Sequence, residues 1–252
     1  MLQALIFDVD GTLADTERDG HRIAFNMAFA DAGLDWHWDE SLYGELLAVT
    51  GGKERMTHFI KTHRPNEWHE AMPARIVELQ AKKTDIYTQL LSEGKIPLRS
   101  GVERLINEAR SAGIRLAIAT TTTPANVTAL LTHTLGAESL NWFEVIAAGD
   151  IVPAKKPAPD IYDYALAEMR LRASDCLAFE DSYNGIRSAR GAGIKTVITV
   201  NGYTQHDDFT GAALVLSDMG EPDAPAGILA GDMSSDYLNL AELRRLHARH
   251  LR

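Results

Sequence analysis

Residues 5–13 read LIFDVDGTL. An apolar run, Leu5-Ile6-Phe7, ends in two aspartates one residue apart, and Gly11-Thr12 follow. On a strand, residues i and i+2 point to the same side, so Asp8 and Asp10 converge at the strand's end. Two like charges placed there cost stability unless something compensates them. A bare DxDG also fits an Asx turn, with Gly11 supplying the bend. The rest of the chain decides between these readings.

Outward from this stretch, short apolar and β-branched runs recur near Leu2–Asp8, Arg115–Thr120, Val145–Ala148, Cys176–Glu180, Lys195–Val200 and Ala213–Leu216. Helical patterns separate them, near Gly101–Ala112, Pro124–Leu135, Pro159–Met169 and Tyr183–Ala192. Alternating strand and helix predicts an α/β fold with a doubly wound parallel-sheet, Rossmann-like core. In such sheets ligands bind outside the carboxyl ends of the strands. Residues 16–92, between the first strand and the second, show helical spacing throughout, as in HRIAFNMAFADAG and ARIVELQAKKTDIYTQLL. That is too long for a crossover loop. It predicts an inserted helical cap over 16–95, with the core made of 1–15 and 96–252. Gly220–Gly231, carrying Pro222 and Pro225, reads as a surface loop before a last helix near Leu240–His250.

Composition narrows the classes of partner. The chain has 252 residues, 45% of them hydrophobic, and a formal net charge of −10. The acidic balance argues against nucleic acid or an anionic membrane as the main partner. It leaves room for a small anionic substrate held by a local cluster of cations. The one cysteine, Cys176, permits no intramolecular disulfide and lies in the apolar run CLAF, which fits a core residue in a reducing, cytoplasmic setting. No stretch approaches the roughly 20 apolar residues needed to span a bilayer. Met1 leads directly into a strand-like run, so no signal or transit peptide is expected in this sequence. A monomer is expected.

Three further features fall where strands of the same sheet should end. Thr120-Thr121-Thr122-Thr123 closes LAIAT, where hydroxyls and free amides can hold phosphate oxygens; Thr123 before Pro124 also reads as a helix cap. Lys155-Lys156-Pro157 can hold a lysine over an anion or form a solvated basic turn. Phe179-Glu180-Asp181-Ser182 ends CLAFE, and its acids can bind a hard cation or cap the next helix. Together with Asp8 and Asp10 they place acids, a lysine and a hydroxyl at four strand ends. A divalent cation compensates the carboxylates, and its preference for oxygen ligands suggests Mg²⁺. A carboxylate can then act as a nucleophile toward phosphorus, with metal and lysine stabilising the phosphoryl oxygens.

The set DVDGT, Thr120, Lys156-Pro157 and Glu180-Asp181 resembles, in order, the four motifs of the haloacid dehalogenase (HAD) superfamily of phosphohydrolases. The resemblance covers residues 1–20 and 96–202 and implies that the insert is that superfamily's small helical cap. It implies catalytic roles for Asp8 as nucleophile, Asp10 as general acid and base, Thr120 as a phosphoryl hydrogen-bond donor and Lys156 as the phosphoryl cation. It further implies Mg²⁺ held by Asp8, the Asp10 backbone carbonyl and Asp181, with Glu180 nearby. A phosphatase or phosphomutase follows, rather than a dehalogenase.

TGGKERM (50–56), DTERDGHRIAFN (15–26) and GLDWHWD (33–39) are similar to CbbY-type sugar-phosphate phosphatases, in the subgroup of β-phosphoglucomutase. That resemblance implies removal of a phosphate from xylulose 1,5-bisphosphate, a misfire product that inhibits Rubisco. One phosphate then meets Asp8 and the metal, and the other needs cations from the cap, for which Lys53, Arg55 and Lys83 are the candidates. Thr50, Gly51 and Gly52 present backbone amides toward the same ligand, Thr121 and Thr122 add to the phosphate site, and Glu17 matches an acidic position that holds sugar hydroxyls. As a bare pattern, TGGKERM also fits a glycine-rich turn between helices with solvated charges. His21, spaced i, i+4 from Glu17, reads either as part of the site or as a surface pair with it. The alternatives are a β-phosphoglucomutase-like mutase, a phosphoglycolate-type or broad-specificity phosphatase, and a binding module on a degenerate scaffold. The last is disfavoured because no motif residue is missing.

Overall fold

The structure, a computed structural model, describes residues 1–249. Its centre is a sheet of seven strands in the order β3-β2-β1-β4-β5-β6-β7. The strands are β1 (Ala4–Phe7), β2 (Arg115–Thr120), β3 (Phe143–Ala148), β4 (Cys176–Glu180), β5 (Lys195–Thr199), β6 (Leu214–Leu216) and β7 (Ile228–Ala230). All neighbouring pairs are parallel except β6 and β7. The expected parallel core is therefore present, within a residue or two at most strand ends.

One expectation fails. The stretch read as a loop over 220–231 contains β7, which pairs antiparallel with β6. Its three residues are all exposed. A short edge strand paired on one side only carries little of the alternation that marks a strand in sequence. The last helix ends at Ala248, and His250 lies outside the described residues.

β1 is buried on both faces, as a central parallel strand must be, so it reads as a continuous apolar run. Its alternate residues feed two different cores. Leu5 and Phe7 join Leu116, Ile118, Leu177 and Phe179 on one face. Ala4 and Ile6 join Ala117, Ala119, Ala147 and Ala178 on the other. The small residues on that second face let helix α7 (Asp160–Met169) approach the sheet closely, with Ile161, Tyr162, Ala165, Leu166 and Met169 filling the space.

Between β1 and β2 the chain runs through a single π turn (Glu17–His21), α1 (Arg22–Asp31), α2 (Glu40–Leu46), α3 (Gly52–His63) and α4 (Met72–Ser92), with no named strand. This insert has an aromatic core of its own, with Phe25, Phe29, Trp36, Trp38, Tyr43 and Phe59 in mutual contact. Yet it is not packed apart from the sheet: Tyr87, Leu90 and Leu91 of α4 belong to the main core. The two crossings between insert and sheet lie side by side, joined by a bridge between Ala14 and Leu98. Arg99, next to that crossing, is almost buried and donates to the backbone carbonyls of Gly11, Thr199, Val200 and Ser217. A five-donor guanidinium satisfies several strand-end carbonyls at once and so ties both crossings to the sheet.

The remaining helices are α5 (Val102–Ser111), α6 (Pro124–Leu135), α8 (Tyr183–Gly191) and α9 (Leu240–Ala248). α5 buries Val102, Leu105, Ile106 and Ala109, the i, i+3, i+4, i+7 stripe. Among the described residues, no helix is long and apolar enough to cross a membrane.

Candidate active site

The chain starts at β1, moves outward through β2 and β3, then returns to the other side of β1 at β4. That reversal opens a crevice at the carboxyl ends of β1 and β4, the place where α/β sheets bind ligands. Asp8 follows β1 there, and its amide donates to the Phe179 carbonyl at 3.0 Å, which sets it beside Glu180 and Asp181. Thr120 closes the adjacent β2 and is buried. Lys156 reaches in from the loop after β3, its peptide bond to Pro157 being cis.

Asp8, Glu180 and Asp181 are buried and offer carboxylate oxygens within 4.8 Å of one another. Lys156 Nζ donates to Asp8 Oδ1 at 2.7 Å and to Glu180 Oε1 at 2.6 Å. Tyr162 donates to the same Glu180 oxygen at 2.5 Å, and Asn201 donates to Asp181 Oδ2 at 2.7 Å. One lysine against three carboxylates leaves the cluster short of positive charge. Burial, with Glu180 adding repulsion, pushes the Asp8 pKa up to about 7 despite the pull of Lys156. Burial and then Asp8 hold Asp181 well above the usual carboxylate range. Burial works to lower Lys156, but Asp8 and Glu180 outweigh it and keep the ammonium charged. An all-oxygen donor set with excess negative charge fits a hard divalent cation. Glu180 Oε1 is engaged by Lys156 and Tyr162 while Oε2 has no hydrogen-bond partner.

Two glycines are needed for this packing. Gly11 has φ +82°, and a Cβ there would fall 2.2 Å from Asp181 Oδ2. At Gly185, near the start of α8, a Cβ would fall 1.8 Å from Glu180 Oε2. Ser182 caps that helix by accepting from the Gly185 amide, and Thr123 likewise caps α6 by accepting from the Asn126 amide, as expected.

Asp10 has a different environment. Its Oδ1 accepts from Thr16 at 2.6 Å and lies 2.9 Å from His21 Nε2. Behind His21, Lys83 Nζ sits 2.6 Å from Nδ1. Burial works to raise the Asp10 pKa, but His21 and Thr16 outweigh it and hold it well below the usual carboxylate range. Burial lowers Lys83 to about 8, although Asp10 and Glu17 pull the other way. His21 is therefore buried against the site, and the reading of it as a surface pair with Glu17 is wrong. Lys83 is buried against the rings of Phe25 and Tyr87.

Two cavities open above these groups. One, of about 440 Å³, is lined by Asp8, Thr120, Lys156, Glu180 and Asp181 at its base and reaches Thr50 of the insert. The other, of about 460 Å³, is lined by Gly51, Gly52, Lys53 and Lys83 from the insert and by Thr121 and Thr122 from the sheet. Both are lined by Asp10, Glu17, Arg55 and Thr121. The cap candidates thus surround one space, but each cation already has a partner. Lys53 pairs with Asp150 at 2.9 Å, Lys83 with His21, and Arg55 with Tyr43 at 2.9 Å. Lys155 bridges Glu54 and Asp150, both at 3.0 Å, beside the Lys53 pair.

Sequence reasoning missed Thr16, Tyr43, Tyr162, Asn201 and Asn126, whose side-chain amide donates to the Thr122 hydroxyl at 2.8 Å. Each sits in an ordinary helical or turn pattern whose role depends on which element packs against it. Only the 15–26 stretch carried a signal, through Thr16.

Comparison with known proteins gives a consistent answer. Residues 2–193 match the haloacid dehalogenase-like hydrolase family. The plasmid-encoded protein CbbY of Cupriavidus necator is 49% identical over 247 residues, covering 98% of this chain and 97% of that protein. The crystal structure of CbbY from Rhodobacter sphaeroides in complex with phosphate superposes with TM-score 0.81 at 46% identity, covering 86% of this chain and 95% of that one. A mutant of the same protein, solved in complex with xylulose-(1,5)bisphosphate, matches equally well. β-Phosphoglucomutase from Clostridium difficile shares the fold, with TM-score 0.73 at 21% identity over 98% of this chain and 97% of that one. The chain belongs to the haloacid dehalogenase-like hydrolase family, in its CbbY-type branch of phosphatases.

Proposed function

We propose that this phosphatase hydrolyses a small sugar phosphate through an aspartyl-phosphate intermediate, with Mg²⁺ as cofactor and xylulose 1,5-bisphosphate as substrate. The observation that carries the reading is the buried Asp8–Lys156–Glu180–Asp181 cluster at the base of a cavity that continues under the helical insert. The 46%-identical CbbY of R. sphaeroides, whose mutant was solved with xylulose-(1,5)bisphosphate, supports the choice of substrate. Residues 16–95 serve as the cap that selects it.

Asp8 Oδ attacks phosphorus as the bond to the sugar oxygen breaks, which leaves phosphate on Asp8. Asp10 gives the leaving oxygen a proton, then takes one from the water that hydrolyses the acyl phosphate, so the pair returns to its starting state. His21 and Lys83 stand in line behind Asp10 and fix the position of its carboxyl group. Lys156 neutralises charge on the phosphoryl oxygens, Thr120 hydrogen-bonds them, and Glu180 and Tyr162 hold Lys156 in line. Asp8, Asp181 and the Asp10 backbone carbonyl would hold the Mg²⁺, with Glu180 completing the acidic cluster, and the ion would supply positive charge to the transferring group. Lys53 and Lys83 line the second cavity, where a distal phosphate meets them, and Arg55 lines both cavities.

A phosphate-release screen over sugar mono- and bisphosphates with Mg²⁺ tests the reading. The highest kcat/KM is expected for xylulose 1,5-bisphosphate. Release of isomerised sugar phosphate in place of free phosphate would turn the reading toward a mutase.

A further inference from the structure

The two cavities meet at a neck, and Glu17 and Arg55 line both. A substrate with its reacting phosphoryl group at Asp8 and the rest of its chain in the second cavity must cross that neck. Glu17 comes from the π turn and Arg55 from α3, so no single element fixes their spacing. Arg55 Nη1 and Glu17 Oε2 are 3.7 Å apart, beyond hydrogen-bond reach. What joins them is Tyr43 of α2. Its hydroxyl donates to Glu17 Oε2 and accepts from Arg55 Nη1 at 2.9 Å. The ring is fully buried beside Phe25, Trp38 and Tyr203, with the Arg55 guanidinium 5.2 Å from its centre. Tyr43 itself lines neither cavity.

At this distance Glu17 and Arg55 form an ion pair without a direct hydrogen bond, and a bidentate pair is the closer arrangement open to them. Each would then neutralise the other, and the neck would present no free acceptor or donor. The Tyr43 hydroxyl bridges them from the side and occupies one oxygen of Glu17 and one Nη of Arg55. The second Glu17 oxygen remains an acceptor for a hydroxyl; Arg55 Nε donates to the Val49 carbonyl at 3.4 Å, and Nη2 remains a donor.

We propose that Tyr43 is the positioning residue of this neck: it holds Glu17 and Arg55 apart so that they read the hydroxylated carbon chain of the substrate, and it thereby sets the preference for polyhydroxylated phosphate esters over simple ones. The inference rests on the sugar-phosphate reading. Groups already held in their binding geometry lose less entropy when the substrate arrives, so the effect belongs in KM.

Tyr43→Phe keeps the ring and removes only the hydroxyl. Steady-state kinetics are measured on the best sugar phosphate of the screen and on p-nitrophenyl phosphate, which has no sugar hydroxyls. The KM for the sugar phosphate should rise about ten-fold, the loss expected for one hydrogen bond to charged partners, and by at least about five-fold more than for the aryl phosphate. In a Glu17→Gln background, Tyr43→Phe should add less than about half of that effect, because coupled residues are not additive. Equal changes for the two substrates, no change at all, or full additivity with Glu17→Gln would each overturn the proposal. If Tyr43→Phe melts below the assay temperature, Arg55→Lys, which keeps the charge but loses the fork to Tyr43, is put through the same comparison with the same criteria. Failure of the sugar-phosphate reading looks different: the unmodified enzyme itself then shows no preference for sugar phosphates over p-nitrophenyl phosphate, and the inference falls with it.

Discussion

Asp8 and Asp10 lie two residues apart and have opposite electrostatics. Asp8 is crowded by Glu180 in a buried cluster, and its pKa is pushed up to about 7. Asp10 is held low by His21 and Thr16. Replacing Asp8 by Asn removes the attacking oxygen and one of the repelling charges. Turnover should fall by at least about a thousand-fold, because a nucleophile acts as a unit with its partners. The metal-free variant should melt no lower than the parent, since a buried, under-compensated carboxylate has been made neutral. Phosphate release and a melting curve on the same sample check both, and residual activity near the parent's would remove Asp8 from its role.

At the scale of elements, each side chain of the proposed site depends on a contact made by a different segment. Lys156 is held by β4 through Glu180, and Glu180 by α7 through Tyr162. α8 closes this arrangement through Gly185, where even one methyl group meets Glu180 Oε2. Gly185→Ala should therefore displace Glu180 and cost about 1–3 kcal/mol, the range for overpacking, although Ala is the better helix former. Denaturant melts and KM values read this change. A stabilised Gly185→Ala protein with unaltered kinetics would show that Glu180 has room to move and that its contact with Lys156 is dispensable.

For the whole molecule, the cluster of three acids and one lysine predicts that metal and stability are linked. An ion that binds the folded chain and not the unfolded one adds about 2.7 kcal/mol at a hundred times its dissociation constant. For a chain of this size that is a rise of roughly 5–10 °C in melting temperature. Mg²⁺ added to chelator-treated protein should produce a shift of this order, and Asp181→Asn should abolish it. A shift that survives in the Asp181→Asn variant would locate the ion elsewhere. The insert's position over the site is stabilised on several sides: by α4 in the main core, by Arg99 at the crossings, and by Lys53–Asp150 and Lys155–Glu54 at the mouth. The last two are partly exposed pairs, each worth about 0–1 kcal/mol, so the mouth contributes least to holding the insert in place.

The alternation of apolar runs and helical patterns was enough to determine the parallel sheet, and the strand-end positions of Asp8, Thr120, Lys156 and Glu180-Asp181 were enough to predict that these side chains come together in one crevice. Parallel strands are buried on both faces and end abruptly, so their composition and their last residues are legible without coordinates. β7 was not legible, because an exposed three-residue edge strand is defined by its pairing and not by its pattern. Nor were the partners of the cap residues. Lys53, Arg55 and Lys83 looked alike in sequence, yet one pairs across the mouth, one is held by a buried tyrosine, and one backs the histidine behind Asp10. Tertiary structure alone decided this, because a side chain's charge is local while its partner comes from whichever element the fold brings beside it.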